Sequence, residues 1–185
     1  MESRIILAGF GGQGIMLAGQ LLGQAMVDRG GEAVFLLQYG PEQRGGTASC
    51  KVIVSDTTIY SPIISEGDVL FAFNTPSLQK FEGNIKSGGM ILVDSTLCKK
   101  NSAREDVDCY QIPATDMAGK LGSEKTANII LLGVYLELTG MVNERNLINV
   151  LSRKLSEKPQ LLETDKRALQ TGREFARTIK LNRKG

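Results

Sequence analysis

Ile5-Ile6-Leu7-Ala8-Gly9-Phe10-Gly11-Gly12-Gln13-Gly14 decides how the rest of the chain is read. Four consecutive apolar residues predict a buried strand. From Ile15 to Asp28, apolar residues recur at Ile15, Ala18, Leu22, Ala25 and Met26, the spacing of one helix face. A G-x-G-x-x-G pattern gains chemical meaning when it joins a strand to a helix in this way. Gly9 makes the tight turn, Gly11 removes a side chain where an anionic ligand approaches, and Gly14 lets the helix pack close to the strand. The N–H groups of the first helical turn have no partner within the helix and carry partial positive charge, which suits a phosphate or carboxylate. Gly9, Gly11, Gly12, Gln13 and Gly14 are therefore candidate binding residues. The alternative is a close-packed strand–helix turn with no ligand.

Gly30-Gly31 closes the first helix, and Ala33-Val34-Phe35-Leu36-Leu37 reads as the second parallel strand of a βαβ unit. A dinucleotide site places an acidic residue at the end of that strand to hold the ribose hydroxyls. This chain has Gln38 and Tyr39 there, which argues against an NAD or FAD site. The loop that follows, Tyr39-Gly40-Pro41-Glu42-Gln43-Arg44-Gly45-Gly46-Thr47, is rich in turn formers. It falls at the same sheet edge as the first glycine loop, where ligands of open α/β sheets collect. Tyr39, Gly40, Arg44, Gly45 and Gly46 join the candidate site, with Arg44 suited to a bidentate anion contact. A rigid surface turn in which Arg44 pairs with Glu42 or another acid is the competing reading.

Further on, Ala48 to Val54 predicts a half-exposed strand, Ile59 to Ile63 a short strand around Pro62, and Asp68 to Phe73 a buried one. Asn74 caps a helix running to Phe81, with Pro76 in its first turn. Met90 to Val93 is a central strand ending at Asp94, read as solvated although a ligand there is conceivable, and Asp108 to Ile112 is the last strand. Thr126 to Thr139 is a helix apolar nearly all round, so it must be covered on more than one side. Asn143 caps the next helix, and Gln160 to Ile179 forms the last. Gly172 inside it costs roughly 1 kcal/mol against Ala and so marks close packing. The tail from Asn182 to Gly185 is expected to fray. The expected fold is α/β and Rossmann-like, a mainly parallel sheet flanked by helices with a helical C-terminal segment, in one domain over 1–185.

Composition narrows the chemistry. With 22 Lys and Arg against 20 Asp and Glu, the net charge of +2 gives no electrostatic case for nucleic acid. There is no Trp for base stacking. No histidine occurs, which excludes His triads, His metal ligands and His general bases. Cys50, Cys98 and Cys109 are scattered without C-x-x-C spacing, fitting free thiols and offering no iron–sulfur ligand set. No signal peptide or membrane span is read, so a cytoplasmic location is expected.

The two glycine loops together carry a resemblance. So do Asp68-Val69-Leu70, Gly88 to Asp94, Ile112-Pro113-Ala114-Thr115, Thr126-Ala127-Asn128 and Ala168 to Gly172. The chain resembles the gamma subunit of the 2-oxoacid:ferredoxin oxidoreductases over nearly its whole length. The resemblance implies a multisubunit enzyme that oxidatively decarboxylates a 2-oxoacid to an acyl-CoA and reduces ferredoxin. It implies that thiamine diphosphate, magnesium and the iron–sulfur clusters belong to alpha, beta and sometimes ferredoxin-like delta partners. The gamma part then contributes to the coenzyme A site and to assembly, and is inactive alone. The Tyr-Gly-Pro-Glu-x-Arg-Gly-Gly form of the second loop is more similar to the 2-oxoglutarate and branched-chain types than to the pyruvate type, although Gln43 stands where Met is common. Two competing readings stand beside it: a purely structural interface subunit of the same complex, and an independent Rossmann-type nucleotide-binding protein.

Overall fold

The opening apolar run forms β1 (Glu2–Gly9), buried from Ile5 onward because it becomes an interior strand. The computed structural model describes residues 1–38 and 48–182. In order after β1 come α1 (Ile15–Asp28), β2 (Glu32–Gln38), β3 (Ala48–Ser55), β4 (Gly67–Ala72), α2 (Thr75–Phe81), β5 (Ile85–Asp94) and β6 (Asp108–Ile112). Four more helices follow: α3 (Ala114–Lys120), α4 (Ala127–Thr139), α5 (Glu144–Lys154) and α6 (Pro159–Asn182). The six strands lie in the order β2-β3-β1-β4-β5-β6. Strands β1, β4, β5 and β6 pair in parallel, while β3 is antiparallel to both β1 and β2. The α/β architecture and mainly parallel sheet are as the sequence predicts.

Four local expectations are corrected. Strand β2 runs in the same direction as β1 but is not its neighbour, because β3 folds back and inserts between them, pairing Gly9 with Ala48 and Glu32 with Ser55. That insertion also buries most of β3, which was expected to be half exposed. Ile59 to Ile63 forms no strand. Its backbone is held by side chains instead: Ile59 N–H donates to Glu32 (2.8 Å), Arg4 donates to the Ile63 carbonyl (3.0 Å), and Lys51 to that of Ile64 (2.6 Å). Helix α6 also continues to Asn182, where fraying was expected to begin.

Alternation along the strands divides the core between the two sheet faces. Ile5, Leu7, Val52, Phe71 and Leu92 pack with α1 and α4, whereas Ile6, Ala8, Leu70, Ala72, Ile91 and Val93 pack with Leu78 and Phe81 of α2. The caps are those read from the sequence. Asn74 accepts the Ser77 N–H (2.9 Å), Asn143 accepts that of Asn146 (2.9 Å), and Gly140 ends α4 in the left-handed conformation. Helix α4 is apolar all round because it lies between the sheet and α6. Tyr135 packs its ring on Phe71 of β4 (centroids 5.6 Å apart) and hydrogen-bonds Ser3 (3.1 Å). On its other side α4 meets α6 backbone to backbone. A Cβ at Gly172 would be driven into the Ile130 carbonyl oxygen, and one at Gly133 into that of Leu169. Among the described residues no helix is long and apolar enough to cross a membrane.

Gly172→Ala is expected to cost about 2–3 kcal/mol, since rigid backbone must move to admit the methyl group. In thermal unfolding that is a drop of about 4–12 °C. Gly83→Ala, where nothing lies within 4 Å of the new carbon, should leave the midpoint nearly unchanged. A second expectation concerns Asp165 in α6, whose carboxyl is pushed up to about 6 by burial. The folded value lies above the unfolded one, near 3.9, so the folded chain holds this proton more tightly. Its contribution is complete below about pH 4 and is lost as the pH rises through about 6. Asp165→Asn should therefore stabilise the fold at pH 7, by about 1 kcal/mol once solvent access to the partly exposed carboxylate is allowed for. Urea melts should show that gain shrinking towards zero at pH 4.

Candidate functional site

At the end of β1 the chain turns through Phe10, Gly11, Gly12, Gln13 and Gly14 before α1 begins at Ile15. Gly12 (φ 90°) and Gly14 (φ 73°) occupy the left-handed region, which side chains disfavour. Gly11 and Gly12 are exposed, and a Cβ on either would meet nothing within 4 Å. Open space over the middle of the turn is what close approach by a ligand requires. No side chain caps α1. The first-turn N–H groups thus remain available at its positive end.

Gly14 serves a different contact from the one expected. Its missing Cβ makes room for Asn128 of α4, not for the strand. Asn128 is 1% exposed. Its Nδ2 donates to the Gly14 carbonyl (3.0 Å) and its Oδ1 accepts the N–H of Ile129 (2.9 Å). One carboxamide thereby joins the N-terminal ends of α1 and α4, two helices far apart in sequence.

Beside the turn is a cavity of about 210 Å³ lined by Gly12, Gln13, Phe73, Asp94, Leu97, Thr115, Glu124, Lys125 and Ala127. These residues lie at or just past the ends of β1, β4 and β5 and around the starts of α3 and α4, so the cavity sits at the C-terminal edge of the parallel strands, the usual ligand edge. Asp94 was expected to be solvated but is fully buried. It accepts the Thr115 hydroxyl (2.5 Å) and the N–H groups of Thr115 (3.2 Å) and Thr96 (3.2 Å), so it fixes the cavity wall. Lys125 stands exposed on the rim and forms no ion pair among the described residues. On the other side of the turn is an apolar hollow of about 280 Å³, lined by Phe10, Gly11, Gly12, Gly14, Ile15, Met16, Leu17 and Ala48.

The structure thus brings Gly9, Gly11, Gly12, Gln13 and Gly14 together around one edge. Tyr39, Gly40, Arg44, Gly45 and Gly46 lie outside the described residues, as does the suggested pairing of Arg44 with Glu42. Ala48, which follows that loop, pairs with Gly9. Sequence reasoning missed Lys125 and the tie made by Asn128, and it saw Asn74 only as a helix cap. Their signals were weak, since a polar residue at a helix start is ordinary. The β3 insertion bears on dinucleotide binding as well. It sets β2 two strand spacings, about 10 Å, from β1. An acid at the end of β2 would not stand beside the glycine turn as it does in a dinucleotide fold.

Fold and site define an α/β protein with an open glycine turn and, beside it, a cavity at the C-terminal sheet edge whose rim carries Lys125 next to Glu124. The chain belongs to the pyruvate ferredoxin/flavodoxin oxidoreductase family, whose sequence profile matches residues 4–175. The ketoisovalerate oxidoreductase subunit VorA of Methanothermobacter marburgensis is 37% identical over 178 residues, which cover 95% of this chain. The chain spans only 37% of that relative's length. The gamma subunit of a keto/oxoacid ferredoxin oxidoreductase from Geobacter sulfurreducens superposes with a TM-score of 0.82 at 32% identity, covering 95% of this chain and 99% of that one. The 2-oxoglutarate:ferredoxin oxidoreductase of Magnetococcus marinus, solved with 2-oxoglutarate, coenzyme A and succinyl-CoA bound, matches with a TM-score of 0.87 at 28% identity. That match covers 96% of this chain and 31% of the Magnetococcus chain.

The Asn128 tie has a measurable consequence. Asn128→Ala should cost about 1–2 kcal/mol, because a buried hydrogen bond is lost while the Gly14 carbonyl keeps its bond from Ala18. Asn128→Asp should cost more despite its similar shape. It sets an acceptor against the Gly14 carbonyl and buries a charge. Denaturant titration of both variants at pH 7 checks that order.

Proposed function

We propose that this chain is the gamma subunit of a multisubunit 2-oxoacid:ferredoxin oxidoreductase, and that its glycine turn forms part of the coenzyme A site. The observation that carries the reading is the end-to-end match to the Geobacter gamma subunit, in a chain whose open glycine turn borders a cavity with the exposed Lys125 and Glu124 on its rim. The 2-oxoacid is proposed to be 2-oxoglutarate, in line with the Magnetococcus enzyme and the form of the Tyr39–Gly46 loop, with a branched-chain 2-oxoacid as the alternative outcome. In this reading Gly11, Gly12 and the first turn of α1 receive a phosphate of coenzyme A through backbone N–H groups. Lys125 supplies a reachable positive charge from the rim, and Arg44, Gly45 and Gly46 contribute from the second loop. Reachability matters, since the coenzyme must leave after each turnover.

Thiamine diphosphate, its magnesium and the iron–sulfur clusters are assigned to alpha and beta partners, with a ferredoxin-like delta chain where one is present. Among the described residues no group of three or more His, Cys, Asp or Glu is arranged to hold a metal ion. This chain's own residues hold and orient the acyl acceptor, and the complex passes electrons to ferredoxin. The cytoplasm is the proposed location, a reducing compartment suited to the free thiols Cys50, Cys98 and Cys109. One observation favours the scaffold reading. Phe10 and Leu17 stand exposed beside the turn, as residues that pack against a partner would.

Steady-state kinetics of the assembled enzyme separate the two readings. Lys125→Ala should raise the KM for coenzyme A about 5- to 30-fold, the equivalent of about 1–2 kcal/mol for a partly screened charge-assisted contact. The 2-oxoacid KM should change little, and added salt should narrow the difference. An unchanged coenzyme A KM combined with poor assembly on size-exclusion chromatography would favour the scaffold.

A further inference from the structure

Gln13 lies inside the glycine motif and lines the cavity, a position from which it would be expected to touch a ligand. Its side chain is otherwise engaged. Oε1 accepts the N–H of Phe10 (2.6 Å) and the Nδ2 of Asn74 (3.1 Å), and Nε2 donates to the Phe73 carbonyl (3.3 Å). Asn74 is itself fixed, since its Oδ1 caps α2 through the Ser77 N–H (2.9 Å). A single carboxamide therefore ties the turn after β1 to the end of β4 and the start of α2. Gly9 makes room for it, because a Cβ there would lie 2.6 Å from Gln13 Oε1 and 2.8 Å from Phe73.

The bonding divides the N–H groups of the turn into two sets. That of Phe10 is taken by the Gln13 side chain, and that of Gln13 by the Phe10 carbonyl (3.3 Å). Those of Gly11 and Gly12 have no partner among the described residues. Two exposed glycines with open space around them would sample many conformations if left alone. A turn cross-linked at both shoulders loses that freedom before the ligand arrives, so less ordering is needed on binding.

We propose that Gln13 is a positioning residue, whose carboxamide braces the turn so that the Gly11 and Gly12 N–H groups are held ready for a phosphate of the bound nucleotide. The inference rests on the reading of this edge as the coenzyme A site. Gln13 touches the turn and not the ligand, so its effect is transmitted through the backbone. Glutamate is the informative replacement. It keeps the length and can still accept from Phe10 and Asn74, but it sets an oxygen against the Phe73 carbonyl and places a negative charge beside the phosphate.

The test uses the assembled enzyme carrying Gln13→Ala or Gln13→Glu, with two readouts on each. In steady-state kinetics the KM for coenzyme A should rise about tenfold for Ala and further for Glu, roughly 1.4 kcal/mol per tenfold. The kcat at saturating coenzyme A and the KM for the 2-oxoacid should move far less. Hydrogen exchange followed by mass spectrometry should show faster exchange in the peptide spanning Phe10 to Gly14 in both variants, with the complex intact on size-exclusion chromatography. Faster exchange with an unchanged coenzyme A KM would overturn the proposal, because the brace would then be structural only. A raised KM with unchanged exchange would also overturn it, since Gln13 would then contact the ligand directly. If Lys125→Ala also leaves the coenzyme A KM unchanged, the site reading itself fails. If Lys125→Ala raises it and the Gln13 variants do not, only the positioning role falls.

Discussion

The space beside Gly14 can hold either a side chain on that residue or the carboxamide of Asn128, and the architecture of the site edge depends on its holding the latter. Helix α1 follows the first strand, and α4 comes more than a hundred residues later. Without a tie at their N-terminal ends, both could lie on the sheet face at variable heights. Asn128 bonds the last carbonyl of the glycine turn while its own oxygen satisfies a first-turn N–H of α4. Both polar ends of a buried amide are thereby paired, which makes its burial tolerable. The rim carrying Lys125, immediately before α4, is set relative to the turn by the same contact.

The back of α4 obeys a related constraint. A helix with almost no polar face needs cover on all sides, and α6 supplies it by approaching to backbone distance at Gly133 and Gly172. Larger residues at that crossing would lift α6 away. Arg173 of α6 pairs with Glu137 of α4 (3.0 Å) and also with Glu144 of α5, next to the glycine crossing. These partly exposed pairs add orientation more than energy. The burden of fixing α4 falls on packing, and through Asn128 that packing reaches the sheet edge.

How far the sequence could be read follows from the range of each signal. The helix periodicities, most of the strands, the caps at Asn74, Asn143 and Gly140, and the close packing at Gly172 are local or nearly so, and appear as read, whereas the short run from Ile59 to Ile63, which forms no strand, does not. The insertion of β3 between β1 and β2 was not legible, because pairing depends on which edges meet and the apolar pattern of β2 is the same beside either neighbour. Asp94 looked like a solvated strand end because Thr115, its hydroxyl partner, lies 21 residues away. The glycine motif showed where an open turn at the sheet edge would be. It did not show that Gln13 and Asn128, two amides, would shape that edge. The second loop was identified by its residue types alone, and its part in the site remains a chemical argument from Arg44.

A ligand used once per turnover imposes opposing demands, since it must be held in register for reaction and then released. Many strong charged contacts would serve the first demand and hinder the second. In the proposed coenzyme A site, the described edge would meet both by dividing the task. Buried amides at Gln13 and Asn128 hold the protein's own backbone. In that reading a phosphate would meet the neutral N–H groups of Gly11 and Gly12 and the exposed Lys125 ammonium, which stands next to the exposed Glu124. Stiffness then lowers the ordering cost of binding, while solvent exposure keeps each contact weak enough to break.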